Sequence, residues 1–81
     1  MKNFKVKSRV KNDQLVLCIN NKLHCQIKNA NSIIGIVCYY EGTEDHCIEL
    51  NFNNTKEKVL LIYDTDEKWK KVSKSLLKVL F

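Results

Sequence analysis

Very short links between apolar segments are the feature that most constrains the fold of this chain. Proline is absent and glycine occurs only twice, so the turns must come from other residue types. Asparagine supplies them, because Asn12-Asp13 and Asn20-Asn21 interrupt the apolar pattern and both residue types tolerate the left-handed backbone of tight turns. Links of this length join antiparallel neighbours and leave no room for crossover helices, which excludes a parallel sheet.

Between these links, the residue pattern predicts a series of strands. They are Phe4–Lys11, Gln14–Ile19, Lys22–Lys28, Ser32–Tyr40, His46–Phe52 and Lys58–Tyr63. Alternation places Leu23 on the inner face with Cys25 and Ile27, and it places Cys47 on the outer face. The run over residues 32–40 is apolar throughout, which predicts a central strand that is covered on both faces.

After Tyr63 the spacing of apolar residues changes from about two to about 3.6 residues, the period of a helix. Asp64-Thr65-Asp66-Glu67 has the features of a helix start, since acidic side chains are favoured in the first turn. The sequence therefore predicts an amphipathic helix that runs to the end of the chain. Its predicted core residues are Trp69, Leu76 and Leu80, and its predicted basic side consists of Lys71, Lys74 and Lys78.

Together the elements predict one α+β domain over residues 1–81. The predicted architecture is an antiparallel β-meander of five or six strands with one C-terminal amphipathic helix. A chain of 81 residues is too short for two separate hydrophobic cores, which excludes a second domain.

The segment Val59–Phe81 resembles the C-terminal part of a pleckstrin-homology-like domain. Here an apolar strand leads through acidic residues into a helix with Trp69 and Leu76, and that family caps a curled antiparallel sandwich with one helix bearing a characteristic tryptophan. The resemblance covers roughly a quarter of the chain and is a likeness of fold. It implies a curled sandwich and is compatible with protein docking, whereas the basic residues of the first strand do not match the family's lipid-head-group pattern.

Charge is segregated along the chain. Residues 1–28 carry seven basic and one acidic side chain, residues 29–67 carry two basic and eight acidic ones, and residues 68–81 carry five lysines and no acid. In the first strand the basic residues all project from one face: Lys5, Lys7, Arg9 and Lys11. These four side chains are the candidate binding site for an anionic partner, either a nucleic acid or an anionic membrane, although no aromatic residue shares their face.

Four cysteines and two histidines raise the question of thiol or metal chemistry. The dipeptide His-Cys occurs at residues 24–25 and again at 46–47, but adjacent strand residues point to opposite faces, so each dipeptide offers one ligand to any one site. The N-terminal segment has no apolar block of a secretory signal, so we expect a cytoplasmic protein with reduced thiols. We predict no cofactor, no metal and no catalytic residue, with a thiol or metal activity of Cys25 or Cys47 as the remaining enzymatic alternative.

Strands that are apolar on both faces predict a surface that needs a further cover. One helix covers one face of one sheet, so either the sheet curls into two layers or another chain covers the rest. Tyr39 and Tyr40 are the candidate partner-binding residues, because tyrosine suits surfaces that become buried on association. We therefore expect a non-enzymatic domain that binds a protein partner or a second copy of itself through the β-sheet. An alternative is a small phage or mobile-element inhibitor of a host defence or nucleic-acid-processing complex.

Overall fold

The computed structural model of the chain describes residues 5–41, 45–53 and 56–81. Within these ranges it has six β-strands and one C-terminal α-helix, which confirms the α+β class. The prediction was five or six strands, and the described ranges contain six. The elements are β1 (Val6–Lys11), β2 (Gln14–Ile19), β3 (Lys22–Lys28), β4 (Ile33–Glu41), β5 (Asp45–Phe52), β6 (Lys58–Tyr63) and α1 (Asp66–Leu80). Phe4, where the first strand was predicted to begin, lies outside the described residues.

The strands form two sheets rather than one continuous meander. The N-terminal sheet has the order β1-β2-β3 and the C-terminal sheet has the order β4-β5-β6, with antiparallel neighbours in both. Between β3 and β4 the chain turns at Asn29, which has a left-handed φ of 61°, and enters a short 3-10 helix over Ala30–Ser32. The backbone N–H of Ala30 donates to the carbonyl oxygen of Asp13 at 3.0 Å, and that of Asn31 donates to the Asp13 carboxylate at 2.7 Å. This turn interrupts the predicted single meander.

Asparagine-containing turns close both hairpins of the N-terminal sheet, as predicted. Asn12 and Asp13 have φ values of 53° and 62°, and Asn20 and Asn21 have φ values of 54° and 66°. Positive φ at both central positions gives the turn twist that matches two antiparallel strands. The bounds of β2 and β3 agree with the prediction because these turns fix both ends of β2 and the start of β3, and the left-handed Asn29 follows the end of β3.

A β-bulge in the second hairpin corrects the prediction for Leu23. The register shifts between Leu17 and Cys18: Leu17 pairs with Cys25, whereas Cys18 pairs with Leu23. One additional residue in β3 inverts the faces beyond it. Leu23 is therefore 63% exposed, while Ile27 at the other end of the strand is buried.

The apolar strands β4 and β6 are the edges of the C-terminal sheet, and β5 is its centre. The prediction of a central strand covered on both faces was therefore wrong for residues 32–40. Val37 in β4 and Leu60 and Ile62 in β6 remain 45%, 48% and 56% exposed. An unbroken apolar run shows that both faces of a strand are apolar, and it does not show that both are covered.

Both sheets and the helix share one hydrophobic core. Its fully buried side chains include Leu15 and Leu17 from the N-terminal sheet, Ile48 and Leu50 from the C-terminal sheet, and Val72 and Leu76 from α1. Of the other two predicted core residues, Trp69 and Leu80 are partly buried and pack against this cluster. The helix begins after Thr65, whose hydroxyl accepts a hydrogen bond from the Lys68 N–H at 3.3 Å. No helix in the described ranges has the length and apolar character needed to cross a bilayer.

Candidate functional site

The helix lies directly beside β1, and two serines make the contact. The Ser8 hydroxyl donates to the Ser75 carbonyl oxygen at 3.1 Å, and the two hydroxyl oxygens lie 2.5 Å apart. Both hydrogen bonds are partly buried. Small side chains at these positions allow the strand edge and the helix to approach closely, and each hydroxyl provides a hydrogen-bonding partner for the other.

A basic cleft of about 1050 Å³ runs along this junction. It is lined by six cationic side chains, three from the β1 side (Lys5, Lys7 and Arg9) and three from α1 (Lys71, Lys74 and Lys78). Its apolar lining includes Val6, Val16 and Val79, and no described acidic residue lines it. The structure therefore brings the two basic ends of the chain to one place.

The cleft divides the four basic residues that the sequence singled out in the first strand. All four are exposed, as the alternation with Val6, Ser8 and Val10 predicted. Lys5, Lys7 and Arg9 line the cleft, whereas Lys11 does not. On the helix, Lys71 pairs with Glu67 at 3.4 Å. For the other five cations of the cleft, no carboxylate partner is found among the described residues.

The second candidate surface is the reverse face of the C-terminal sheet, which we define as the face turned away from α1. Strand alternation and register place two cross-strand rows there, Val37–Glu49–Leu60 and Tyr39–Cys47–Ile62. At one end of this face, the Lys58 ammonium lies 3.7 Å from the Glu49 carboxylate. Apart from this ion pair, the two rows are apolar or aromatic, although an antiparallel sheet normally presents polar residues on an uncovered face.

Cys47 corrects a further prediction. Alternation correctly places it on the face opposite Ile48 and Leu50, but its side chain is only 1% exposed. Its cross-strand neighbours on this face are the larger residues Tyr39 and Ile62. Cys47, in the central strand of the reverse face, is therefore buried, whereas residues of the two edge strands on this face remain exposed.

Tyr39 and Tyr40, which were predicted as one partner-binding pair, lie on opposite faces of β4. The ring of Tyr40 is on the helix side, with its centroid 4.8 Å from those of both His46 and Trp69. Its hydroxyl donates to the Asp66 carboxylate at 3.1 Å, and the Trp69 indole N–H donates to the Cys47 carbonyl oxygen at 2.9 Å. Tyr40 thus joins the sheet to the start of α1, and only Tyr39 belongs to the reverse face.

The carboxylate of Asp66 is the charged centre of this aromatic group. Lys70 donates a hydrogen bond to it at 2.9 Å, and this bond, together with that from Tyr40, holds the pKa of Asp66 below its usual range. The same Asp66 contact raises the pKa of Tyr40 above its usual range. These mutual contacts fix the orientation of the first turn of α1 against β4.

None of the four cysteines forms a disulfide bond. Cys18 lines the cleft and Cys47 lies on the reverse face, whereas Cys25 and Cys38 lie apart from both surfaces. Burial raises the pKa of the Cys25 thiol, and the nearby Cys18 raises it further. A raised pKa lowers the thiolate fraction and with it the reactivity of the sulfur. Among the described residues, no three His, Cys, Asp or Glu side chains come together as a group that could hold a metal ion.

The contribution of α1 to the cleft was not predicted from the sequence. Placing Lys71, Lys74 and Lys78 on the side opposite the apolar stripe does not reveal which strand lies next to that side. The available signal was Ser8, a hydroxyl within the apolar series of the first strand, because a polar side chain on an inner face needs a hydrogen-bonding partner. That partner is Ser75, which also lines the cleft.

Comparisons with known protein families, with curated proteins and with solved structures find no match to this chain.

Proposed function

We propose that the protein is a non-enzymatic binding domain that associates with a second copy of itself through the reverse face of the C-terminal sheet. The observation that carries the proposal is the apolar character of this face: Val37, Leu60 and Ile62 are each about half exposed there. Burial of such side chains is favourable by about 25 cal/mol per Å² of apolar surface. Two such faces stacked on each other form a sandwich of two sheets, with the helices outside.

Charge favours an identical chain as the partner. The whole chain has a net charge of +5, which opposes self-association through most of its surface. On the reverse face, however, the charges of Glu49 and Lys58 compensate each other at 3.7 Å. Two reverse faces can therefore meet without net repulsion, and none of the cations that line the cleft belongs to the two rows of the reverse face.

The size of the face sets the expected strength of the dimer. From standard strand spacings, a face three strands wide and six residues long measures about 14 by 20 Å, or about 280 Å². A standard stable interface buries about 800 Å² on each partner. We therefore expect a concentration-dependent dimer rather than an obligate one.

The pleckstrin-homology-like arrangement belongs to the same proposal. Two antiparallel sheets that share a core and a C-terminal helix bearing Trp69 support it. In this proposal the fold serves as a protein-docking scaffold, and its C-terminal sheet carries the docking face.

Sedimentation equilibrium over a range of concentrations tests the proposal. We expect the wild type to approach twice the mass of one chain as its concentration rises. The neutral double variant Leu60→Gln/Ile62→Gln should weaken dimerisation at least about tenfold, which corresponds to about 1.4 kcal/mol. The matched control is Leu23→Gln/Leu77→Gln, which changes two leucines of similar exposure on other surfaces. Circular dichroism verifies that both variants are folded.

Two results would overturn the proposal. One is a wild type that has the mass of a single chain at every concentration. The other is equal weakening by both double variants, because this would show that general surface hydrophobicity, and not the reverse face, drives association.

A further inference from the structure

The basic cleft concentrates like charges that come from opposite ends of the chain. Residues 1–28 contribute one wall and residues 68–81 the other, and in both segments basic side chains far outnumber acidic ones. Bringing these charges together opposes folding through mutual repulsion. The acidic side chains of the middle segment could have compensated the charges, but apart from Glu67 beside Lys71 none is found there among the described residues. A ligand with several negative charges would remove this repulsion.

The spacing of the cations indicates an extended ligand rather than a single anion. Alternate residues of a strand are about 6.6 Å apart, so the row from Lys5 to Arg9 is about 13 Å long. On the helix, the row from Lys71 to Lys78 is about 10 Å long, from the rise of 1.5 Å per residue. Two rows of this length along the sides of one cleft match a chain of successive phosphate groups.

We infer that the basic cleft binds the phosphodiester backbone of a nucleic acid, with single strands as its preferred form. Lysine and arginine contacts to phosphate supply most of the affinity in such sites, independently of base sequence. None of the described residues that line the cleft is aromatic, so these residues offer no platform on which bases could stack. Its hydroxyls at Ser8 and Ser75 are engaged with each other. The contact is thus electrostatic and shows little sequence preference.

The shape of the cleft favours nucleic acid over an anionic membrane. Its cations stand on the two walls of a concave space of about 1050 Å³, into which a single strand can enter. A flat bilayer cannot enter this space, so it would meet only the outer ends of the exposed cationic side chains. This inference goes beyond the proposed function, because the reverse face takes no part in it.

Fluorescence anisotropy with a short labelled oligo-dT, a duplex of equal length and a salt titration tests the inference. For the wild type we expect binding that weakens with salt, with a slope of log K against log salt of about −0.7 for each phosphate contacted. The triple variant Lys7→Ser/Arg9→Ser/Lys74→Ser removes cations from both walls and should weaken binding at least about tenfold and reduce this slope.

The control is Lys11→Ser/Lys22→Ser/Lys28→Ser, which changes the net charge by the same amount at exposed lysines that do not line the cleft. It should retain the wild-type affinity to within about threefold. A second cleft variant, the single charge reversal Lys74→Glu on the exposed side of α1, gives an independent test should the triple variant unfold.

Equal weakening by the cleft and control triples would overturn the inference, because it would show that net charge alone governs binding. Tighter binding of the duplex would overturn the single-strand preference. No binding of either nucleic acid would overturn the whole inference, and sedimentation with phosphatidylserine vesicles would then assign the cleft to a membrane if the vesicles carried the protein down. Binding of oligo-dT that is lost only in the cleft variants supports it.

Discussion

The two sheets have the same number of strands and share one core, yet their outer faces differ in chemistry. On the N-terminal sheet, the outward positions of β1 are all basic and those of β3 include Gln26 and Lys28, while β2 contributes Val16 and Cys18 between them. On the C-terminal sheet, the outward positions of β4 and β6 include Val37, Tyr39, Leu60 and Ile62. Two antiparallel sheets of the same size therefore carry different outer surfaces, so the composition of the outer faces, and not the topology, distinguishes the two proposed binding surfaces.

The largest expected effect tests the part that the two sheets have in common. Leu76 is fully buried among core residues from both sheets, so Leu76→Ala should lower the free energy of unfolding by about 2–5 kcal/mol. Because the core is shared, hydrogen exchange should accelerate in β2 and in β5 together. Acceleration in one sheet alone would show that the sheets unfold separately, and the comparison above would then concern two independent units.

A smaller effect is expected at the junction of β1 and α1. Removing either partner of the Ser8–Ser75 contact should lower the free energy of unfolding by about 1 kcal/mol. Urea denaturation of Ser8→Ala, Ser75→Ala and the double variant measures the coupling between them. We expect the double variant to lose less than the two single losses added together; strictly additive losses would contradict the contact that positions the helix beside the basic strand.

An effect of similar size at neutral pH, which decreases at high pH, concerns the link between the two sheets. The Tyr63 hydroxyl lies 3.0 Å from His24 Nε2, and burial, followed by the nearby Cys25, raises the pKa of Tyr63 well above its ordinary value of 10.0. Because the neutral phenol is favoured in the folded state, its contribution to stability is complete below pH 10 and decreases as the pH rises toward the folded-state pKa.

Tyr63→Phe should therefore cost about 1 kcal/mol near neutral pH through loss of the hydrogen bond. The stability difference between wild type and variant should shrink as the pH rises above 10, because the variant has no phenol to ionise. Thermal denaturation at a series of pH values measures this difference. A difference that is constant across the alkaline range would mean that Tyr63 ionises equally easily in the folded and unfolded protein.

The sequence predicted the N-terminal sheet well because local signals determine it. The alternation in β1 and the asparagine pairs at the turns define strand bounds, turn geometry and the basic face without reference to distant residues. Leu23 was the exception, since the bulge opposite Leu17 and Cys18 depends on how two strands pair and leaves no clear mark in either one.

The C-terminal sheet and the cleft were less predictable because they depend on tertiary packing. An apolar pattern such as that of β4 or β6 is the same whether both faces of the strand are covered by the chain itself or one face is left exposed. The edge positions of β4 and β6 could therefore not be predicted from the sequence. Similarly, Arg9 and Lys74 are far apart in the chain, and only the packing of α1 against β1 makes them walls of one cleft.

Sedimentation velocity of the protein together with a short fluorescent oligo-dT tests most directly whether the two outer faces act separately. At a chain concentration at which sedimentation equilibrium shows the wild type to be dimeric, we predict that its complex contains two chains and two oligonucleotides. At the same concentration, Leu60→Gln/Ile62→Gln should give one chain with one oligonucleotide at unchanged affinity. A wild-type complex with a single chain, or loss of the oligonucleotide when the reverse face is altered, would contradict the account.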